Sequence, residues 1–211
     1  MARQPSAKKK RLYDPEALRA RVLDVAAAEF QSRGYHSTST HDIMRSAGVS
    51  GGALHHHFPT KKSLGLAVIR ERVVKAVEQA WIDPVKSGNS AADGILSAFE
   101  QVAQNIDERG AVLGCPLGNL ALELSLTDTD FRTAIDEIYE GWFKTIAQKI
   151  RQDRGAGIID VDPETFSTLV ISSYSGALTL AKARQHSEPL RACARQLARA
   201  MGKPPKTRKK V

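Results

Sequence analysis

The 211-residue chain carries a formal net charge of +8 with 42% hydrophobic and 26% charged residues, the composition of a folded globular protein rather than a disordered one. Two cysteines in a chain of this size make no disulfide framework, and no apolar run reaches the roughly 18–20 residues that span a bilayer. No apolar stretch follows the basic N-terminus as it does in a secretory signal, so a soluble, cytoplasmic protein with no membrane partner is expected. The length allows one or two domains with a sizeable core.

Charge is unevenly placed along the chain. Residues 1–63 hold 11 Lys/Arg against 5 Asp/Glu, residues 64–202 hold 15 against 18, and residues 203–211 hold 5 against none. A basic front and tail around an acidic middle suit a polyanionic partner at the ends, although short Lys-rich tails are as often merely solvated. Residues 1–12, with the run Lys8, Lys9, Lys10 and Arg11, are expected to form a disordered basic arm. Residues 203–211 are expected to form a second one, with Pro204-Pro205 blocking a helix.

Between these arms the pattern is helical throughout. Asp14-Pro15 starts a first helix, with Leu18, Val22, Val25, Ala26 and Phe30 on its inner face and Gly34 at its end. Ser39 and Asp42 form a capping box for a short second helix, whose inner face is Ile43 and Ala47 and whose stop is Gly48. Ser50 caps a third, burying Leu54 and Phe58. Thr60 caps a fourth, predicted to run to about Trp81. Further helices are expected from Ala91 to Asp107, from Pro116 to Leu126, after the Asp128 cap, from Asp162-Pro163 to about Gln185, and after Glu188-Pro189. The helix after Asp128 carries Phe131, Ile135, Ile138, Trp142, Ile146 and Ile150 on one stripe. No segment alternates with a period of two, so an all-α fold of about nine helices is expected.

The stretch AGVSGGALHHHF, Ala47 to Phe58, decides what the front of the chain does. Two short helices joined by Ala-Gly-Val-Ser meet the needs of a helix-turn-helix: a small residue for close packing, a glycine for the positive φ of the turn, and a valine beneath it. The second helix then begins Ser50-Gly51-Gly52-Ala53, a start bare enough for backbone N–H groups to approach a phosphate. The three consecutive histidines point about 100° apart on a helix and cannot converge on one ion. No metal and no cofactor is therefore expected. His56 is expected to face a groove, His55 a phosphate, and His57 partly inward beside Phe58.

The segment GYHSTSTHDIMRSAGVSGGALHHHFPTKKSL, Gly34 to Leu64, resembles the DNA-binding domain of the TetR family of transcriptional regulators. The matching residues are Gly34, Tyr35, Thr38, Ser39, Ile43, Ala47 to Ser50, Gly52, Leu54, His57, Phe58, Lys61 and Leu64. The resemblance implies a helix-turn-helix domain over residues 13–63 and a ligand-binding and dimerisation domain over residues 64–202. It implies contacts with double-stranded DNA by Thr38, Ser39, Thr40, His41, Ser50, Gly51, Gly52, Ala53, His55, His56 and Lys61. Two departures stand out. His55 replaces the family's usual tyrosine, and Lys62 stands where an acidic residue is common, adding positive charge near the DNA.

The resemblance further implies a homodimer paired through the last two helices and a small-molecule effector held in the second domain. Ser172, Gly176, Thr179 and Ala183 form a stripe of small residues that permits close helix packing, between subunits or within one. Phe99, Tyr139 and Trp142 are candidate effector contacts, with Trp81 and Phe143 beside them; at helical spacing they also suit an ordinary core. The segment Gly114-Cys115-Pro116-Leu117-Gly118-Asn119 adds Cys115 and Asn119. Cys115 precedes a helix N-terminus, which favours thiolate, but it also suits a plain core position. Asn119 either orients a ligand or caps a neighbouring helix. The function expected is a ligand-responsive repressor that reads a near-palindrome. The alternative is an architectural, largely non-specific DNA binder. The motifs of phosphate-binding, hydrolase and dinucleotide enzymes are missing, so no enzyme is expected.

Overall fold

The computed structural model describes residues 14–202. The basic arms expected at 1–12 and 203–211 lie outside them. Among the described residues there are nine helical rods and no strand.

The first three helices are set by their caps. Helix α1, Pro15–Arg33, begins where Asp14 Oδ1 accepts from the N–H groups of Glu16 and Ala17, both at 3.1 Å. Helix α2, Thr40–Ala47, opens on the expected Ser39/Asp42 capping box and closes at Gly48 in the left-handed conformation, φ 63°. Helix α3, Gly51–His57, follows from the Ser50 cap. Val22, Leu23, Ala26, Phe30, Ile43, Ala47, Leu54 and Phe58 close one core between them.

Helix α4 is longer than its sequence pattern predicts. Five consecutive helical segments, Lys61–Val68, Ile69–Val73, Val74–Val77, Glu78–Ile82 and Asp83–Ser87, form one rod. The segments Ile69–Val73 and Glu78–Ile82 are π-helical. Asp83-Pro84 reads as a break in sequence, but the wider turn before it closes with the Asp83 N–H on the Glu78 carbonyl. Pro84 then falls in the first turn of the next segment, where its missing N–H is not needed.

Five further helices build the body: α5, Ala91–Arg109; α6, Pro116–Leu124; α7, Thr129–Gly155; α8, Pro163–Arg184; and α9, Glu188–Ala200. Helix α5 exceeds its expected end by two residues, and α6 stops two short, leaving Leu126 almost fully exposed in the turn that follows. The whole apolar stripe of α7 is buried. Trp81, Phe99, Trp142 and Tyr174 meet at the centre, with Trp81 ring centroids 4.7–5.3 Å from those of the other three. A buried carboxylate braces the body: Asp153 of α7 accepts from the Ala91 N–H at 2.5 Å, capping α5 from outside its own chain segment. No described helix is long and apolar enough to cross a membrane.

Candidate nucleic-acid interface and effector site

The start of α3 is open to solvent. A Cβ added at Gly52 would meet nothing within 4 Å, and one at Gly51 would meet only Met44 Sδ at 3.6 Å. Ser50 is exposed, although its Oγ already accepts from the Ala53 N–H at 3.3 Å. Ala53 is half-buried on the same turn. His56 is exposed, its ring edge-on to His57 at 5.1 Å. His57 packs inward 6.3 Å from Phe58, with its Nε2 buried and unpartnered.

His55 is exposed, and its Nδ1 lies 3.2 Å from the Pro59 carbonyl. A carbonyl accepts, so Nδ1 carries the proton. In the neutral ring Nε2 then holds a lone pair and can donate to a phosphate only after protonation. The expected phosphate contact of His55 thus requires the charged ring.

At the start of α2, His41 is exposed and Thr40 half-buried. Ser39 is exposed, but its hydroxyl donates to Asp42 Oδ2 at 2.7 Å and accepts from the Asp42 N–H at 3.0 Å. Thr38 must be removed from the DNA-facing set. It is fully buried, its hydroxyl donates to the Gly34 carbonyl at 2.8 Å, and its N–H donates to the Tyr35 carbonyl at 3.2 Å. Nothing polar on it remains for a phosphate.

The two lysines that open α4 are both engaged. Lys61 Nζ donates to the His36 carbonyl at 3.4 Å and lies 4.4 Å from the Tyr35 ring centroid. Partial burial lowers its pKa, against the raising influence of Glu123. Lys62 does not add free positive charge near DNA, contrary to its expected effect. Its Nζ sits 2.6 Å from Asp128 Oδ2 and 2.7 Å from Asp130 Oδ2.

Residues of the body touch this unit at points no sequence pattern marks. Glu123 of α6 accepts from the His36 N–H at 3.1 Å, and Gln31 of α1 donates to the Gly114 carbonyl at 3.2 Å. Tyr35 packs edge-on against Phe131 of α7 at 5.2 Å. Arg19 of α1 pairs with Glu71 of α4 at 2.5 and 2.8 Å, and Arg72 with Asp24 at 2.6 Å. These partners lie far apart in the chain, so nothing local announces them.

The effector candidates divide into two groups. Phe99 is closed within the aromatic centre. Cys115 is buried, and burial pushes its thiol upward despite the N–H groups of Gly118 and Leu117 that pull the other way. Desolvation outweighs the helix start, so Cys115 takes the plain core position that its sequence also suited and not the thiolate one. Asn119 neither caps a neighbouring helix nor sits free, because its Nδ2 donates to the Leu113 carbonyl at 2.9 Å and ties down the loop before α6. Tyr139 is half-buried, stacked on Trp142 at 6.2 Å, and burial, with Cys115 adding to it, pushes its phenol up to about 12. Trp142 borders a groove of about 310 Å³ between α4 and α7, shared with Val74, Val77, Ile82 and Ile138. The indole N–H groups of Trp142 and Trp81 are buried without a hydrogen-bond partner. Trp81 lies near enough to the Tyr174 phenol to lower its pKa, but not in hydrogen-bonding geometry; burial, the larger influence, raises it.

The stripe on α8 faces away from this core. Ser172, Gly176, Thr179 and Ala183 are all exposed, flanked by Leu169 and Leu180, each about half exposed. The stripe does not pack within the subunit.

Comparison with known proteins agrees with this architecture. Residues 22–68 match the family described as bacterial regulatory proteins, tetR family, and residues 91–196 match the C-terminal domain of LmrA/YxaF-like transcriptional regulators. The chain belongs to the TetR family of transcriptional regulators and is a DNA-binding protein of that family. It is 28% identical to the HTH-type transcriptional regulator LmrA of Bacillus subtilis, over 82% of this chain and 90% of that protein. It is 26% identical to the HTH-type transcriptional repressor DhaR of a Mycobacterium species, over 82% of this chain and 86% of that one. A TetR transcriptional regulator from Chloroflexus aurantiacus superposes with a TM-score of 0.81 at 26% identity, covering 90% of this chain and 96% of its own.

Proposed function

We propose that this regulator is a repressor that binds a near-palindromic operator as a homodimer in the cytoplasm and is released by a small, apolar or aromatic effector. The bare, solvent-facing tip of α3 carries the reading: Ser50, Gly51, Gly52 and Ala53 approach the groove, and exposed His56 reaches base edges. Ser39, Thr40, His41, protonated His55 and Lys61 border the backbone and fix register. The exposed small-residue stripe of α8 supports the homodimer, because small side chains let two such helices approach closely. A relative named as a repressor supports the direction of regulation.

The groove bordered by Trp142 is the seat proposed for the effector; Tyr139 reaches it only through its stack on Trp142, and Phe99 and Cys115 do not line it. Its volume suits a small ligand, and its lining by Val74, Val77, Ile82, Ile138 and Trp142 favours an apolar or aromatic one. Both π-helical turns of α4 border this groove, through Arg70 and Ile82, so a ligand there bears on the rod that carries the DNA-binding unit. A coupling of about 1–3 kcal/mol would change DNA affinity roughly 5–150-fold.

Selection of bound duplexes from a random pool tests this reading. One enriched near-palindrome is expected. On it, His56→Ala should narrow the gap between the selected duplex and its single-base variants by about 1–3 kcal/mol at one position per half-site. Lys61→Ala should weaken every duplex alike and reduce the salt slope by about one. A pool with no enriched sequence, bound equally throughout, would leave the architectural reading instead.

A further inference from the structure

The corner between α6 and α7 presses three carboxylates against the DNA side of the molecule. Asp128 is doubly fixed, because its Oδ1 accepts from the Asp130 N–H at 2.8 Å and its Oδ2 meets Lys62 Nζ at 2.6 Å. Asp130 Oδ2 completes the grip at 2.7 Å. As the N-cap of α7, Asp128 also sits at the end of a helix dipole that favours its charge. A few residues away Glu123 accepts from the His36 N–H, lies against Gly34, and acts on the charge of Lys61. Tyr35, between Lys61 and Phe131, packs the two sets of residues together. The contact raises the pKa of Lys62 and holds Asp128 below the usual carboxylate range.

An ammonium group held by two carboxylates has its charge more than balanced and one N–H left, so a phosphate approaching it meets the repulsion of both carboxylates. We propose that the α6–α7 corner is an intramolecular acidic latch: Asp128 and Asp130 occupy Lys62, and Glu123 holds the His36 N–H beside it, so Lys62, unlike its neighbour Lys61, is withheld from the DNA backbone until the corner moves. The latch rests on the reading above that this end of α4 lies on the DNA-facing side. Its other end is well placed for control. Helix α6 starts at the loop that Asn119 and Gln185 tie down and that Gln31 of α1 touches through Gly114. A shift of α6 at that end would reach the corner through one short helix.

The test is a cycle of duplex titrations at several salt concentrations on the full chain, with far-ultraviolet circular dichroism confirming helical content. Asparagine is a good N-cap, so Asp128→Asn keeps the start of α7. In the wild-type background Lys62→Gln should leave affinity within about twofold and the salt slope unchanged. The pair Asp128→Asn and Asp130→Asn should tighten binding to every duplex and steepen the slope by about one, the value for one added phosphate contact. Adding Lys62→Gln to that pair should remove the added slope. Three results would overturn the latch: a reduced slope for Lys62→Gln alone, no change from the paired Asp substitutions, or a steeper slope that survives loss of Lys62. If neither the wild type nor any variant bound a duplex, the DNA-facing assignment would fall, and the latch with it.

Discussion

Thr38 separates two roles that a motif position cannot distinguish. In sequence it lies beside Ser39 and Thr40, where a hydroxyl suits a phosphate. In the structure it is a buried strut that ties the end of α1 to the start of α2 through the Gly34 carbonyl. Thr38→Val keeps the shape and removes the hydrogen bond, so it should cost about 1–2 kcal/mol of stability while leaving the DNA affinity of the folded protein unchanged. Denaturant unfolding and a duplex titration on the same preparation check both halves, and a loss of affinity without a loss of stability would restore Thr38 to the interface. The caps at Asp14, Ser39, Ser50 and Thr60 were legible beforehand because each acts within four residues of itself. The burial of Thr38 and of Cys115, and the pairing of Lys62, depend on segments remote in the chain, and no local pattern encodes them.

Helices were legible wherever periodicity and punctuation agreed, as in α7, whose apolar stripe is buried in full. Helix α4 escaped because Asp83-Pro84 is ordinary punctuation for an end, and only a π-turn lets the rod pass it. The far part of α4 then packs unusually close to α5. A Cβ on Gly94 would lie 2.6 Å from Val85 Cα and 2.7 Å from the Pro84 carbonyl oxygen, backbone atoms that cannot rotate away. Gly94→Ala should therefore cost about 1–3 kcal/mol or more, measured as a lowered denaturant midpoint.

At its near end α4 is pinned to α1 by Arg19 and Glu71. The hydrogen bond from Arg19 holds the Glu71 carboxyl below its usual range. A depressed carboxylate pKa gives stability that is present above the unfolded value of about 4.3 and is lost as pH falls through the folded value. Thermal melts between about pH 3 and 7 should show a shallower acid limb for Glu71→Gln than for the wild type. The difference at neutral pH should stay within about 1 kcal/mol, because the pair is partly exposed.

At the scale of the whole molecule, a quarter of the chain carried the family resemblance, and the rest showed in sequence as apolar stripes, an acidic balance, one stripe of small residues and the segment of residues 114–119. The small-residue stripe of α8 could pack inward or outward by its spacing alone; its exposure rules out the inward use, and the pairing proposed above is the outward one. Two subunits joined there would carry two α3 tips at a fixed separation, set by the body and transmitted through α4. The central claim is that this separation, and not the basic charge alone, determines binding. The direct measurement is affinity for the selected near-palindrome before and after about five base pairs, half a helical turn, are inserted between its half-sites. The insertion turns one half-site to the opposite face of the duplex, and affinity should fall to the level of unrelated DNA, about a thousandfold or more. Unchanged affinity after the insertion would contradict the account.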